Sequence, residues 1–145
     1  MSPTTVAAAP VAVLPRPLTS RAFEVALAPD PVHICGLRHS TATLMRRWAV
    51  PPSLADDVIL VVSELASNAV EHGHGTVALR MWHADGTLHV EVRDDNPAPA
   101  RLRDAGETDV CGRGLFLVAV LARSWGVSDD GKTTWATFRL PSGRL

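Results

Sequence analysis

The sequence predicts a two-layer α/β sandwich, in which three helices cover one face of a mostly antiparallel, mixed sheet. Three observations support this fold class. Segments with a helical spacing of apolar residues are interspersed with segments in which apolar and polar residues alternate, as in half-buried strands. An Asp-Gly pair at residues 85–86 separates two alternating segments and indicates an antiparallel hairpin. The chain has 145 residues, 46% of them hydrophobic and 20% charged, which is typical of one soluble globular domain.

The first part of the chain differs in composition from the rest. Residues 1–20 are rich in Pro, Ala and Thr and show no apolar period, so we expect a disordered leader. The folded domain is then expected over residues 21–145. Its first strand is predicted at Arg21–Leu27, where apolar residues occupy every second position.

Two helices are predicted to follow this strand. Asp30 is suited to cap the first helix and Pro31 to occupy its first position, which places the helix at Val32–Trp48. The Val-Pro-Pro-Ser sequence at residues 50–53 ends this helix, and its serine can cap a second helix from about Leu54 to His72. The apolar face of the second helix consists of Val58, Val62, Leu65 and Ala69.

The second half of the chain contains a hairpin, a long polar segment and a final strand pair. The hairpin strands are predicted at Thr76–His83 and Thr87–Arg93. Residues 98–110 are polar and have no period, and irregular loops of this length in compact domains are usually functional. The remaining predicted elements are a buried helix at Leu115–Trp125 ended by Gly126, a strand beginning at Val127, a turn at Asp129–Gly131 and a last strand at Thr133–Leu140.

Composition and charge exclude several classes of function. A formal net charge of -1 does not supply the basic field of a dedicated nucleic-acid binder. No apolar stretch reaches the length of a membrane span, and the N-terminal residues lack the pattern of a secretory signal, so we expect a cytoplasmic protein. Cys35 and Cys111 are far apart, and His72 and His74 have no acidic or sulfur partner at ligand spacing. We therefore expect neither a disulfide nor a zinc site.

Two polar side chains on the second predicted helix indicate chemistry. Glu64 and Asn68 are one turn apart, and helical geometry puts them about a quarter- to a third-turn from the apolar face, at its border. Mg²⁺ binds few protein ligands and keeps several waters, so an amide oxygen together with phosphate oxygens suits it. A nearby carboxylate can polarise a hydroxyl for attack on a phosphate. A solvated helix edge is the alternative interpretation of this pair.

Three further features could contribute to a nucleotide site. Asp94 directly follows a strand, where its carboxylate could accept a hydrogen bond from the exocyclic amine of adenine. Gly112 and Gly114, with Arg113 between them, lead into a buried helix, and free N–H groups at a helix start favour phosphates. Thr133 begins the last strand, and its hydroxyl could reach the same base or a bridging water. Each feature is weak alone, but their order along the chain is much more specific.

The set of motifs resembles a known ATP-binding domain. The segments SELASNAVEHG, VEVRDDNPAP, CGRGLFLVAVLA and GKTTWATF, which begin at residues 63, 90, 111 and 131, resemble the Bergerat-type domain of histidine kinases and gyrase B. Within that group the chain is most similar to the stand-alone anti-sigma-factor serine/threonine kinases. The resemblance covers about Arg21 to Leu140 and implies the Bergerat fold with bound ATP and Mg²⁺.

The resemblance also implies a role for each motif residue. Asn68 corresponds to the Mg²⁺-coordinating asparagine, Glu64 to the carboxylate that acts as general base, and Asp94 to the aspartate that recognises the adenine amino group. Pro97–Val110 corresponds to the lid over ATP. The other implied nucleotide-binding positions are Asn96, in the turn after the aspartate; Gly112, Arg113, Gly114 and Leu115, in the motif under the phosphates; and Thr133, near the adenine.

These motifs depart from the family pattern in two places. Asn96 and Ala98 occupy positions where the aspartate motif commonly has glycines, and Cys111 replaces a frequent glycine. Asparagine tolerates a positive φ and can keep the turn, whereas alanine does so at a higher cost. Neither departure removes a charged or metal-binding group.

The resemblance implies a regulator that transfers the γ-phosphate of ATP to a serine or threonine of a protein partner. The implied partners are an anti-anti-sigma protein of the STAS type and a sigma factor, with a homodimer possible and no direct contact with nucleic acid or membrane. The alternative is a non-catalytic ATP-binding module that sequesters a sigma factor or another regulator. A detached histidine-kinase domain is less favoured, because neither His33 nor His39 has a typical phosphoacceptor context.

Overall fold

The structure, a computed structural model, describes residues 12–13, 21–72, 74–95 and 110–141, with the backbone alone at 12–13 and 110–114. The strands are β1 (Ala12–Val13), β2 (Ala22–Leu27), β3 (Val77–Ala84), β4 (Thr87–Arg93), β5 (Ser124–Val127) and β6 (Thr133–Arg139). The helices are α1 (Val32–Arg47), α2 (Pro52–His72) and α3 (Val110–Leu121).

The strands form one sheet in the order β1-β2-β3-β4-β6-β5, and every neighbouring pair is antiparallel. The hairpin between β3 and β4 turns at Asp85-Gly86, as the sequence predicts. Strand β6 pairs with β4 on one side and with β5 on the other, so β5 is the edge strand. After β4 the chain therefore passes through α3 to the edge strand β5 and then returns to form β6 between β5 and β4. The predicted two-layer α/β sandwich is confirmed.

The two faces of the sheet have different surroundings. On one face the strand residues are buried and join residues of all three helices in a single hydrophobic core. On the other face, which we call the open face, the alternate residues of the same strands are half-buried or exposed. The central strands contribute to the core Leu79, Met81, Leu88, Val90, Val92, Ala136 and Phe138.

Helix α2 occupies the centre of the helical layer. It packs against α1, against α3 and against strands β3 and β4. Its buried residues recur with helical spacing and include Val58, Val61, Val62 and Leu65, each no more than 2% exposed. Removing these side chains from water is the main reason why a 21-residue helix forms here and holds a fixed position over the sheet.

Local signals for helix α1 agree with the structure. The Asp30 carboxylate accepts a hydrogen bond from the N–H of Val32 at 3.0 Å, so it satisfies a donor that the helix itself leaves free. The helix ends at Arg47, one residue before the predicted end.

The third helix was predicted in the wrong place. It spans Val110–Leu121 instead of Leu115–Trp125, and Trp125 and Gly126 lie in strand β5. The N–H of Ala122 makes a last helical hydrogen bond, and the next N–H, that of Arg123, donates to the carbonyl of Thr137 in the sheet. The apolar run therefore divides between a helix and a strand, and periodicity cannot separate the two in so short a segment.

Gly126 also has a different role from the predicted helix stop. A Cβ atom at this position would lie 2.7 Å from Cζ2 of Trp135, the cross-strand neighbour in β6. Because Gly126 has no side chain, the indole of Trp135 can lie against the backbone of β5.

Of the predicted leader, the structure describes Ala12 and Val13. Ala12 and Val13 pair with Ala26 and Val25 and so add a short strand to the edge of the sheet. The other residues of the predicted leader lie outside the described residues.

Candidate functional site

Several of the predicted site residues lie at one end of the sheet. Strand β4 ends there, and β3 and β6 begin there. Beyond the last ladder pairs, the N–H of Asp94 donates to the carbonyl of Lys132 at 3.0 Å, and the N–H of Asp95 donates to the carbonyl of His74 at 2.9 Å. These two bonds fix the segment after β4 between the start of β6 and the connection from α2 to β3.

The connection between α2 and β3 approaches this segment closely. Gly75 has a φ of 75°, and a Cβ atom there would lie 2.7 Å from Oδ2 of Asp95. A larger residue would be strained and would collide with the carboxylate. Because only a few residues join His72 to Val77, the C-terminal part of α2 lies at the same end of the sheet as Asp94.

Helix α2 presents Glu64 and Asn68 at the border of its buried face. Both side chains are half-buried, whereas their neighbours Leu65 and Ala69 are 2% and 5% exposed. Within the described part of the chain, neither Glu64 nor Asn68 makes a side-chain hydrogen bond or an ion pair. A carboxylate and an amide therefore lie half-buried on a helix whose position the core fixes.

Thr133, which was predicted to lie near the adenine, is on the open face of the sheet. It pairs with Arg93 across β4 and β6, and its hydroxyl accepts a hydrogen bond from Nη1 of Arg93 at 3.1 Å. Both side chains are on the open face, away from α2 and its polar pair. Thr133 and Thr134 therefore face opposite sides of the sheet, because successive residues of a strand point to opposite faces.

The next residue, Thr134, faces the helices instead. It pairs with the buried Val92 and is itself 9% exposed. Among the described residues its hydroxyl has no hydrogen-bond partner, whereas most buried polar groups have one. The sequence contained the signal, because Ala136 and Phe138 share the parity of Thr134 and form the apolar side of the strand.

The glycine motif lies in the first turn of α3. The residues Gly112, Arg113 and Gly114 are helical, so they form the helix start and not a turn before it. Leu115 follows and is 4% exposed in the core. Of the predicted site residues, Asn96 lies outside the described residues, as does the predicted lid except for Val110.

The direction of α3 places this first turn at the site end of the sheet. Two residues connect α3 to β5, which starts opposite Thr137 and runs back to Val127, opposite Thr134. A helix that packs on α2 and β5 after so short a connection runs antiparallel to β5. Its N-terminus therefore approaches the end where Thr134 and Asp94 lie, with free N–H groups and a positive dipole end.

A polar network braces the turn between β5 and β6. Arg93 donates to Oδ2 of Asp130 at 3.4 Å as well as to Thr133, and the Ser128 hydroxyl donates to Oδ1 of Asp130 at 2.6 Å. The hydrogen bonds from Ser128 and from the N–H of Lys132, with the Arg93 charge, lower the pKa of Asp130 to about 2. The network holds the carbonyl of Lys132 against Asp94, a support that the sequence did not suggest.

The chain matches the family described as the histidine kinase-like ATPase domain over residues 27–138. The match covers all of α1, α2, α3 and β3 to β5, together with the end of β2 and nearly all of β6. The chain belongs to this family. It is therefore an ATP-binding domain.

The chain is also similar to part of a curated protein that is named as an epimerase. A diaminopimelate epimerase of Gemmatimonas aurantiaca is 41% identical over 86 residues, which cover 54% of this chain. The chain spans 30% of the length of that protein.

The residues at the site fit a nucleotide and one magnesium ion. Thr134 offers a buried hydroxyl that lacks a partner among the described residues, and Asn68 offers an amide oxygen of the type that Mg²⁺ accepts beside phosphate oxygens. In the described ranges, no three His, Cys, Asp or Glu side chains are grouped to hold a metal by themselves. No helix there has the length and apolar character to cross a membrane.

Proposed function

We propose that this ATPase domain is a protein serine/threonine kinase of the anti-sigma-factor type. One observation carries the proposal: the Glu64 carboxylate lies one turn before Asn68, half-buried and without a partner among the described residues. Holding a nucleotide does not require a carboxylate beside the phosphates, since a negative charge there repels them. A kinase requires such a group to receive the proton of the attacking hydroxyl.

Each proposed role follows from the position of a side chain. Asn68 holds Mg²⁺ through its amide oxygen, and Asp94 and Thr134 bind the adenine from the end of the sheet. The first turn of α3 directs backbone N–H groups toward the phosphates. Glu64 orients a serine or threonine hydroxyl of the partner and accepts its proton. When bound, Mg-ATP supplies the γ-phosphoryl group, and the metal neutralises part of the phosphate charge.

The proposed partners follow from the resemblance to anti-sigma kinases. The substrate is an anti-anti-sigma protein of the STAS type, and a sigma factor competes for the same kinase. A homodimer and a cytoplasmic location belong to the same proposal. The net charge of -1 supports a protein partner over direct contact with nucleic acid.

A transfer assay with ATP labelled at the γ-phosphate tests the proposal. Candidate STAS proteins are incubated with the wild type and with Glu64→Gln, which keeps the size of the side chain and removes its charge. We expect Glu64→Gln to bind Mg-ATP at least as well as the wild type and to transfer label about 10²- to 10⁴-fold more slowly. Glu71→Gln, an exposed carboxylate further along α2, is the matched control and should transfer at the wild-type rate.

Two results would contradict the kinase. Equal transfer rates for the wild type and Glu64→Gln would exclude Glu64 as the general base. Stable capture of a partner in the presence of Mg-ATP, with no label on the partner from any variant, would favour the non-catalytic binding module.

A further inference from the structure

A groove lies between helix α1 and strand β2. It has a volume of about 360 Å³ and is lined by Phe23, His39, Ser40, Thr43, Leu44 and Arg47. Leu44 is 8% exposed and Phe23 packs against the core, so the floor is apolar. The rim carries two hydroxyls, an imidazole and a guanidinium. Such a groove accepts one apolar side chain with acidic groups around it.

The charge of α1 is entirely basic. The helix contains three arginines and two histidines between Val32 and Arg47 and no aspartate or glutamate, although the whole chain has a net charge of -1. Among the described residues, Arg46 and Arg47 make no ion pair, whereas Arg80 and Arg93 are paired. The helix dipole favours cations in the last turn, but it does not account for the unbroken basic character of the helix.

The groove belongs to a longer exposed line on α1. Val32, Gly36, Ser40, Thr43 and Arg47 follow one another at intervals of four, four, three and four residues, which places them on one face. Val32 is 68% exposed at the start of this line, an apolar group without cover. A helix of 16 residues is about 24 Å long, the length of about seven residues of extended chain.

We propose that this face of α1, with the groove at its C-terminal half, binds an extended acidic segment of a protein partner. One apolar side chain of the segment enters the groove against Phe23 and Leu44, and its carboxylates pair with Arg46 and Arg47. The face is separate from the nucleotide site, because α2 lies between α1 and α3. The proposal therefore goes beyond the proposed kinase and does not depend on it.

The test uses fluorescence anisotropy on the full chain with a labelled seven-residue peptide, in which glutamates flank a central Leu-Phe pair. A peptide with glutamines in place of the glutamates is the neutral control. We expect the acidic peptide to bind at least about tenfold more tightly than the neutral one, and to weaken as salt rises from about 50 to about 300 mM. The double variant Arg46→Glu/Arg47→Glu should lose at least about tenfold in affinity.

Two further variants separate a specific groove from a diffuse charge effect. Arg38→Glu reverses an exposed charge on the same helix at a different face and should stay within about twofold of the wild type. Thr43→Trp fills the groove without changing charge and should lose at least about tenfold in affinity, whereas Thr43→Val, which only removes the hydroxyl that accepts from Arg46 at 3.3 Å, should stay within about twofold. All variants should keep the circular dichroism spectrum and the Mg-ATP affinity of the wild type.

Several outcomes would overturn the proposal. No binding of the acidic peptide at millimolar concentration would do so, as would equal losses in Arg38→Glu and in the double variant. Unchanged binding by Thr43→Trp would show that the groove is not used. Sedimentation that shows a dimer broken by Arg46→Glu/Arg47→Glu would assign the face to a second copy of the chain, and tighter binding of a single-stranded oligonucleotide would assign it to nucleic acid.

Discussion

Glu64, Asn68 and Thr134 share a property that distinguishes them from ordinary core-border residues. Each is half-buried or buried, and each has a polar side chain without a hydrogen bond or ion pair among the described residues. A buried polar group without a partner costs about 1–3 kcal/mol, so such groups persist where a ligand or water completes them. These three side chains are therefore the ones at which the proposed site is tested.

The two adjacent threonines of β6 provide a direct test at this scale. Thr134→Val removes the buried hydroxyl and keeps the shape, so we expect Mg-ATP affinity to fall by about tenfold, equivalent to about 1.4 kcal/mol. Thr133→Val removes the hydroxyl that accepts from Arg93 on the open face, and should leave affinity within about twofold. Isothermal titration measures both. A larger loss of Mg-ATP affinity in Thr133→Val than in Thr134→Val would indicate that Thr133, and not Thr134, contacts the nucleotide.

At the scale of elements, the position of α3 depends on how the chain enters β5. Helix α3 ends at Leu121 because the N–H of Arg123 pairs with Thr137, and β5 then runs along β6 with Gly126 against Trp135. This arrangement brings the start of α3 back toward Asp94 and Thr134. The contact between Gly126 and Trp135 therefore stabilises the strand pair that anchors the helix over the proposed nucleotide site.

Substitution of Gly126 tests this anchor. Gly126→Ala puts a methyl group 2.7 Å from the Trp135 ring, so the indole must move, and we expect a loss of about 1–3 kcal/mol in the free energy of unfolding. In a Trp135→Leu background the same substitution should cost less, because the colliding ring is absent. Urea unfolding of the four proteins gives the coupling. An equal cost in both backgrounds would show that the ring contact is not the cause.

At the scale of the whole molecule, the proposed nucleotide site joins parts of the chain that are far apart in sequence. Asn68 lies on α2, Asp94 follows β4, Gly112 lies in the first turn of α3 and Thr134 belongs to β6. A ligand that contacts all four elements favours the state in which they are packed together. Binding must then appear as a gain in the stability of the folded domain.

Thermal unfolding with and without Mg-ATP measures this gain. At about 100 times the dissociation constant the ligand adds about 2.7 kcal/mol, which for a domain of this size raises Tm by about 5–10 °C. Asn68→Ala should lose most of this shift while its own Tm without ligand stays close to the wild type, since the residue lies at the border of the core. Ser67→Ala, its half-buried neighbour on α2, should keep the shift. A full shift in Asn68→Ala would contradict the metal role.

The sequence alone determined the features that depend on local spacing. Helical and alternating periods located α1, α2 and the β3–β4 hairpin within two residues at each end, and the border position of Glu64 and Asn68 followed from the angle between helix residues. The motif order was sufficient to predict the Bergerat fold, and the family match confirms it.

Tertiary structure decided the features for which local preferences were nearly equal. The apolar run after the glycine motif could form helix or strand, and the pairing of Arg123 with Thr137 and of Gly126 with Trp135 set the boundary. The choice between Thr133 and Thr134 depended on register, because a shift of one residue in a strand exchanges its two faces. Only the packing of β6 beside β4 fixes that register, and so fixes which hydroxyl faces the helical layer.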